Sequence, residues 1–316
     1  MPISAVKHIG EVPVDDLPYR LGLGPEIERL RAYIVDWIEE CDAEMQQMLR
    51  WQLLARSKYF RPFTIFACHR AVSREPVSAQ LLRAAVGLEL FHNVSLIVDD
   101  IVDHSRHRRG KLTLHCRFGE LPALMASGYI TAGGFKLTAG DAFTVRLLAE
   151  LMQRLGTAEC LQWRLRRQPL GVEDWRAIAG EDTGSMFEIC ARLGTRDDRL
   201  RNYGRLLGML YHGCDDVGDV RGLAALGGGG DEDVRDGILT LPAAIAIRDP
   251  ETAALFRSRD PQTASELMRR LTRTLPEAEL YLDSIAREAS EEARANADDP
   301  ALLLELIKHT RALSRS

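Results

Sequence analysis

The chain has no clustered cysteines. Cys41, Cys68, Cys116, Cys160, Cys190 and Cys214 are scattered through 316 residues without paired spacing, so neither a disulfide framework nor a zinc site is expected. A reducing cytoplasm is the expected compartment. There is no strong charge of either sign: 41 Lys and Arg against 46 Asp and Glu leave a net charge of -5, which gives no electrostatic footprint for nucleic acid. No run approaches the roughly 18 apolar residues of a membrane span, and the opening "MPISAVKHIGEVPVDD" lacks the apolar core of a signal peptide. Aromatics are few at 6%, but 46% hydrophobic and 28% charged residues describe an ordinary globular chain that can bury a sizeable core. No internal repeat is visible, and no segment alternates convincingly as a strand bounded by hairpin signals.

What the sequence does have is helical periodicity. Pro25 opens "PEIERLRAYIVDWIEECDAEMQQMLRWQLL", where apolar residues recur at three- and four-residue steps with proline in the first turn. Similar patterns predict helices near 59–73, 77–106, 119–155 with a break at Gly133 and Gly134, 157–167, 173–193, 198–221, 239–248, 261–274, 277–296 and 300–313. Residues 1–23 read as a lead. The tract "GLAALGGGGDEDVRDG", 222–237, reads as a mobile loop because four consecutive glycines disfavour helix. No Pro/Ser-rich linker interrupts the chain, so one all-α domain over 1–316 is expected.

Two acidic clusters stand out. In "DDIVD", Asp99 and Asp103 lie one helical turn apart and face the same way. Carboxylates so placed repel by roughly a few tenths of a kcal/mol unless a cation sits between them. The residues before them, "LELFHNVSLIV", are nearly all apolar, so this helix is expected to be buried with its acids lining a cavity. The pattern recurs in "LLGMLYHGCDDVGDV", which places Asp215, Asp216 and Asp219 at the same spacing. Two such clusters facing each other suit hard divalent cations, and magnesium in particular, which bridges carboxylates to substrate phosphates. Arg108 and Arg109 then find a partner, because guanidinium forks match phosphate oxygens in pairs. The implied ligand is a diphosphate.

"DDIVDHSRHRRGKLTLH" and "YGRLLGMLYHGCDDVGD" resemble the two Asp-rich motifs of the trans-isoprenyl diphosphate synthases, the polyprenyl synthetase family, the first with its following arginine pair. The resemblance runs from about Lys58 to Pro242. It implies a bundle of mostly antiparallel helices around a deep apolar cavity, usually a homodimer, that condenses an allylic diphosphate with isopentenyl diphosphate. By that resemblance, Asp99 and Asp103 hold two magnesium ions and Asp215 a third, with Asp100, Asp216 and Asp219 in an outer shell. Arg108 would contact the allylic diphosphate and Arg109 the isopentenyl diphosphate.

In "SKYFRP" the family's basic element keeps Lys58, Arg61 and Pro62, although Ser57 replaces a glycine and Tyr59 an arginine. His92 stands where the family carries a His or Gln. Taken singly, Lys58 and Arg61 read as surface charges and His92 as a core histidine; together, in family order, they read as an acceptor site.

The donor half departs from the family. Its Lys-Thr pair reads Asp182-Thr183, its Phe-Gln reads Tyr211-His212, and its two Gly-Lys elements read Gly227-Gly228 and Gly237-Ile238. Three lysines are replaced, one by an acid, which makes the donor region more negative by four units. Arg221 or Arg235 is expected to compensate.

The resemblance also bears on product length. Val94 and Ser95 are small where enzymes that stop at fifteen carbons carry aromatics, and Phe91 lies one turn deeper. At about 1.5 Å per residue the floor drops roughly 4.5 Å, about one prenyl unit. A geranylgeranyl product is expected, with farnesyl next. Two other readings share the fold: a terpene synthase-like lyase or a transferase using another acceptor, and a non-catalytic partner subunit.

Overall fold

The computed structural model describes residues 17–55, 57–222 and 236–315. Its helices are α1 (Leu17–Arg20), α2 (Gly24–Glu39), α3 (Ala43–Leu53), α4 (Phe60–Val72), α5 (Ala79–Val102), α6 (Leu114–Phe118), α7 (Glu120–Thr138) and α8 (Ala142–Leu165). They continue as α9 (Val172–Glu181), α10 (Thr183–Thr195), α11 (Arg201–Arg221), α12 (Leu241–Ala246), α13 (Pro250–Arg257), α14 (Ala264–Asn296) and α15 (Ala301–Ala312). This is the all-α fold that the periodicity predicts. Buried apolar side chains from nearly all of these helices join one continuous core. The expected mobile loop, with Gly227, Gly228 and Arg235, falls almost wholly outside the described residues.

At the centre stands α4, buried on nearly every side from Phe60 to Ala71. It packs on α5 and α10, and α10 packs on α11. The two helices that carry the acidic clusters, α5 and α11, therefore face one another across α4 and α10. By length and composition α5 could cross a membrane, a run longer in apolar character than the sequence reading allowed. It is mostly buried, because α2, α4, α7, α8 and α10 cover it.

Several expected boundaries move, each for a local reason. The helix expected from Pro25 is interrupted at 40–42, where the Asp42 side chain accepts from the Glu44 amide (3.0 Å) and starts a new helix. Gly133 and Gly134 do not break α7. A Cβ on Gly134 would lie 2.6 Å from the Phe91 ring and one on Gly133 2.4 Å from Trp37, so these glycines admit close-packed aromatics. The break comes after Thr138, where Asp141 caps α8, and α8 then runs unbroken through Gly156. The helix expected over 173–193 is interrupted at Asp182 (φ -79°, ψ -103°). Conversely α14 continues through Pro276. Its buried stripe of Leu271, Leu275, Ala278, Leu282 and Ile285 packs along α11 and α12 and offsets the roughly 3 kcal/mol cost of an interior proline.

A strand pair that the sequence reading did not find follows α5. His107–Arg108 (β1) pairs antiparallel with Lys111–Leu112 (β2). Arg109 (φ 54°) and Gly110 (φ 77°) form the turn, and positive φ at both central residues is the tight-hairpin pattern. Arginine takes that conformation at a cost of about 1 kcal/mol.

Candidate active site

The structure brings both acidic motifs within electrostatic reach of Arg108. Asp99 and Asp103 end α5, and Asp215 lies on α11. Asp99 is half-buried; burial pushes its carboxyl well above the usual range, Glu159 and Asp182 add to the shift, and Arg108 opposes it. Asp215 is pushed up to about 6, by burial first and then by Asp216, against the pull of His212, Lys58 and Arg108. Its Oδ1 is shielded from solvent and accepts no hydrogen bond among the described residues. Asp99 and Asp215 are not sealed in a core, so these shifts describe carboxylates crowded in a cleft.

The neighbouring acids have other work. Asp100 is buried and accepts from Arg108 Nε at 2.7 Å, so it braces the hairpin that carries the arginine pair. Asp216 is buried and accepts from Trp175 Nε1 (2.8 Å) and from the Leu241 amide (2.8 Å). It ties α11 to α9 and to the start of α12. Asp219 is half-buried one turn further along.

The residues expected to bind the acceptor gather around α4 and α5. Arg61 Nη1 lies 2.9 Å from His92 Nε2 and its guanidinium lies over the Phe187 ring. Burial lowers the His92 imidazole well below its usual range, and Arg61, Arg109 and Arg108 lower it further. His92 is therefore neutral, with Nε2 accepting from Arg61. Lys58 is exposed and acts on Asp215 across the cleft.

Glu89, which the sequence reading missed, is buried beneath these cations. Arg61 and Arg109 act on it, and it accepts from Ser57 Oγ at 3.2 Å. Ser57 Oγ also accepts from the amide of Tyr59, whose φ is 48°. Serine in place of the family's glycine thus ties the Lys58 loop to α5. The signal was present: Glu89 lies one turn before His92 on a helix otherwise apolar at that point.

The donor side is acidic, as the substitutions predict. Asp182, at the break before α10, faces His212, whose Nδ1 lies 3.4 Å from Asp182 Oδ2 and 3.0 Å from Thr183 Oγ1. Gly208 makes that approach possible, since a Cβ there would lie 2.6 Å from the Thr183 carbonyl oxygen. Burial alone would discharge His212, but Asp216 and Asp182 outweigh it and push the imidazole up to about 10. Burial would likewise raise Asp182, yet the His212 bond and charge hold it below the usual range. Asp182 and His212 therefore form an ion pair.

Two further charged residues beside Asp103 were not foreseen. Glu159 on α8 is pushed up to about 7 by burial and by Asp182 and Asp103, with Arg166 opposing. Arg166 itself reaches Asp103 at 3.3 Å. Of the expected substitutes, Arg221 is bound instead to Glu279 (2.7 Å) and the Ser314 carbonyl, and Arg235 lies outside the described residues. Ile238 is half-buried beside Gly237, whose carbonyl accepts from the Arg167 amide at 2.8 Å.

The remaining three expected residues lie deeper along α5. Phe91 is fully buried, edge-to-face with Phe135 at 5.0 Å between ring centres. Val94 is buried, and Ser95 is half-buried with its hydroxyl donated to the His92 carbonyl.

These donors fit a hard divalent cation. They are all oxygens, one of them is shielded and unpartnered, and their mutual repulsion falls when a cation enters. Among the described residues no three His, Cys, Asp or Glu side chains stand close enough to hold an ion unaided. An ion here would complete its shell from substrate phosphate and water, as magnesium does.

Comparison with known proteins agrees with this chemistry. The polyprenyl synthetase family model matches residues 42–272. Geranylgeranyl pyrophosphate synthase 4 of Arabidopsis thaliana is 30% identical, covering 77% of this chain and 72% of its own. Nonaprenyl diphosphate synthase of Mycobacterium tuberculosis is 25% identical, covering 78% and 77%. A solved polyprenyl synthase from Caulobacter crescentus CB15, complexed with calcium and isoprenyl diphosphate, shares the fold with a TM-score of 0.84 at 22% identity, over 98% of this chain and 99% of that one. The family match over most of the sequence, in accord with two acidic motifs gathered around Arg108, shows that this chain belongs to the polyprenyl synthetase family and is a prenyltransferase.

Proposed function

We propose that the enzyme uses magnesium to join an allylic diphosphate to isopentenyl diphosphate and stops at geranylgeranyl diphosphate, with farnesyl diphosphate as the shorter alternative. The observation that carries this reading is the division of the cleft: carboxylates Asp99, Asp103 and Asp215 on one side, and Lys58, Arg61, Arg109 and neutral His92 on the other. Magnesium held by the first set, three ions in this reading, supplies charge neutralisation for the departing diphosphate.

The protein's own groups do the rest. Arg108, braced by Asp100, presents its remaining N–H groups to the donor diphosphate. Arg61, fixed by His92 and by the Phe187 face, and Arg109 hold the acceptor diphosphate so that its double bond meets the reacting carbon. Thr183, hydrogen-bonded to His212, offers a hydroxyl to the donor.

Product length rests on Phe91, whose ring lies fully buried below Val94 and Ser95. The relatives include both geranylgeranyl and nonaprenyl synthases, so the floor is the deciding term. The enzyme acts as a homodimer through α7, which is apolar nearly all round and leaves Leu121, Leu124 and Met125 exposed beside Gly128 and Ala132. Exposed apolar residues on one face mark an interaction surface, and the small residues let a second copy of the helix approach. A cytoplasmic location is supported by six free thiols.

The test is product analysis. Purified protein with magnesium and farnesyl diphosphate is expected to yield geranylgeranyl diphosphate only when isopentenyl diphosphate is present, and Phe91→Ala should lengthen the product by at least one unit. Hydrocarbon or alcohol formed without isopentenyl diphosphate would overturn the condensation reading. An unchanged product from Phe91→Ala would reduce Phe91 to helix packing.

A further inference from the structure

Four carboxylates crowd the donor end of the cleft: Asp99, Asp103, Glu159 and Asp182. Two of the cations that face them already have carboxylate partners. Arg108 is held by Asp100, and His212 lies between Asp182 and Asp216. Arg166 differs. It caps the end of α8, two turns beyond Glu159. Its Nη2 reaches Asp103 Oδ1 at 3.3 Å, its guanidinium lies 4.1 Å from the centre of the Trp163 ring, and its Nε is shielded from solvent with no partner among the described residues.

We propose that Arg166 is a ligand of the donor diphosphate, adding a second guanidinium beside Arg108 at this acidic end of the site. The inference rests on the diphosphate reading above. A single-pronged contact with a half-exposed Asp103 is weak, so Arg166 gives it up readily. A shielded Nε–H without an acceptor is costly, and a phosphate oxygen satisfies it. The Trp163 ring beneath it steadies the guanidinium and leaves N–H groups for oxygen acceptors. Were Asp103 to hold a metal ion, its contact with Arg166 would loosen and free the Nη2 donor for the same diphosphate.

The test compares wild type, Arg166→Ala and Arg166→Lys by calorimetry, with a thio-analogue of farnesyl diphosphate that does not ionise and, separately, isopentenyl diphosphate. Arg166→Ala should weaken analogue binding roughly ten- to hundredfold, with the loss persisting at saturating magnesium, and leave isopentenyl diphosphate within about twofold. Arg166→Lys should fall between. Unchanged analogue binding in Arg166→Ala, equal loss of both ligands, or recovery at high magnesium would overturn the assignment, the last by reducing Arg166 to a support for Asp103. If the wild type fails to bind the analogue, the functional reading itself fails; if it binds and the variant binds equally, only Arg166 is reassigned.

Discussion

At the scale of single residues, a binding site shows itself by groups the fold leaves unsatisfied. Asp100 and Asp216 share the acidic motifs but are spent on Arg108, Trp175 and the Leu241 amide, whereas Asp215 keeps a shielded oxygen with no partner among the described residues. Such an oxygen costs stability until a ligand fills the place. Asp215→Asn removes a charge that burial and Asp216 disfavour and is expected to stabilise metal-free protein by on the order of 1 kcal/mol, read as a higher melting temperature, while abolishing turnover. A lowered melting temperature, measured by calorimetry with chelator present, would contradict that reading. The motifs made Asp99, Asp103 and Asp215 legible in the sequence because their spacing repeats. Glu159 and Arg166 were not, since an acid and an arginine on an amphipathic helix carry no mark of the face they share with α5. Asp182 was read as a lost lysine; only its pairing with His212 shows that the substitution made an ion pair.

At the scale of elements, propensity located the helices and packing set their ends. Gly133 and Gly134 looked like a break and Pro276 like an end, yet aromatic side chains fill the first place and a continuous buried stripe crosses the second. The true break lies at Asp141, which caps α8 through the Thr144 amide (3.2 Å) and holds both Nη atoms of Arg196 at 2.7 and 2.8 Å. The Arg196 bonds pull the Asp141 carboxyl well below its usual range. A depressed carboxylate contributes stability that is full above its unfolded pKa of about 4 and is lost as pH falls through its folded value. Asp141→Asn keeps a capping side chain but loses the charge. It is expected to unfold about 1–2 kcal/mol more easily at pH 7, with the gap closing below about pH 4. A gap that stays constant to pH 3 in thermal melts would separate α8 stability from this pair.

At the scale of the whole molecule, the proposed reading sets two anion sites of different chemistry side by side in the bundle, and α7 keeps an apolar outer face. Replacing Met125 with Glu should halve the mass seen by sedimentation equilibrium, with the helical content kept; a wild-type protein that sediments as one chain would exclude pairing through α7. The central claim is the division of the cleft into a metal-dependent donor half and an acceptor half built from Lys58, Arg61, His92 and Arg109. It is tested most directly by calorimetric titration of isopentenyl diphosphate into the protein with magnesium and again with chelator, beside the same pair of titrations with an inert allylic analogue. The account predicts that chelation changes isopentenyl diphosphate affinity by less than about threefold and weakens the analogue by roughly a hundredfold or more, since the metal contributes several kcal/mol only on its own side. Equal loss of both ligands on chelation would contradict it.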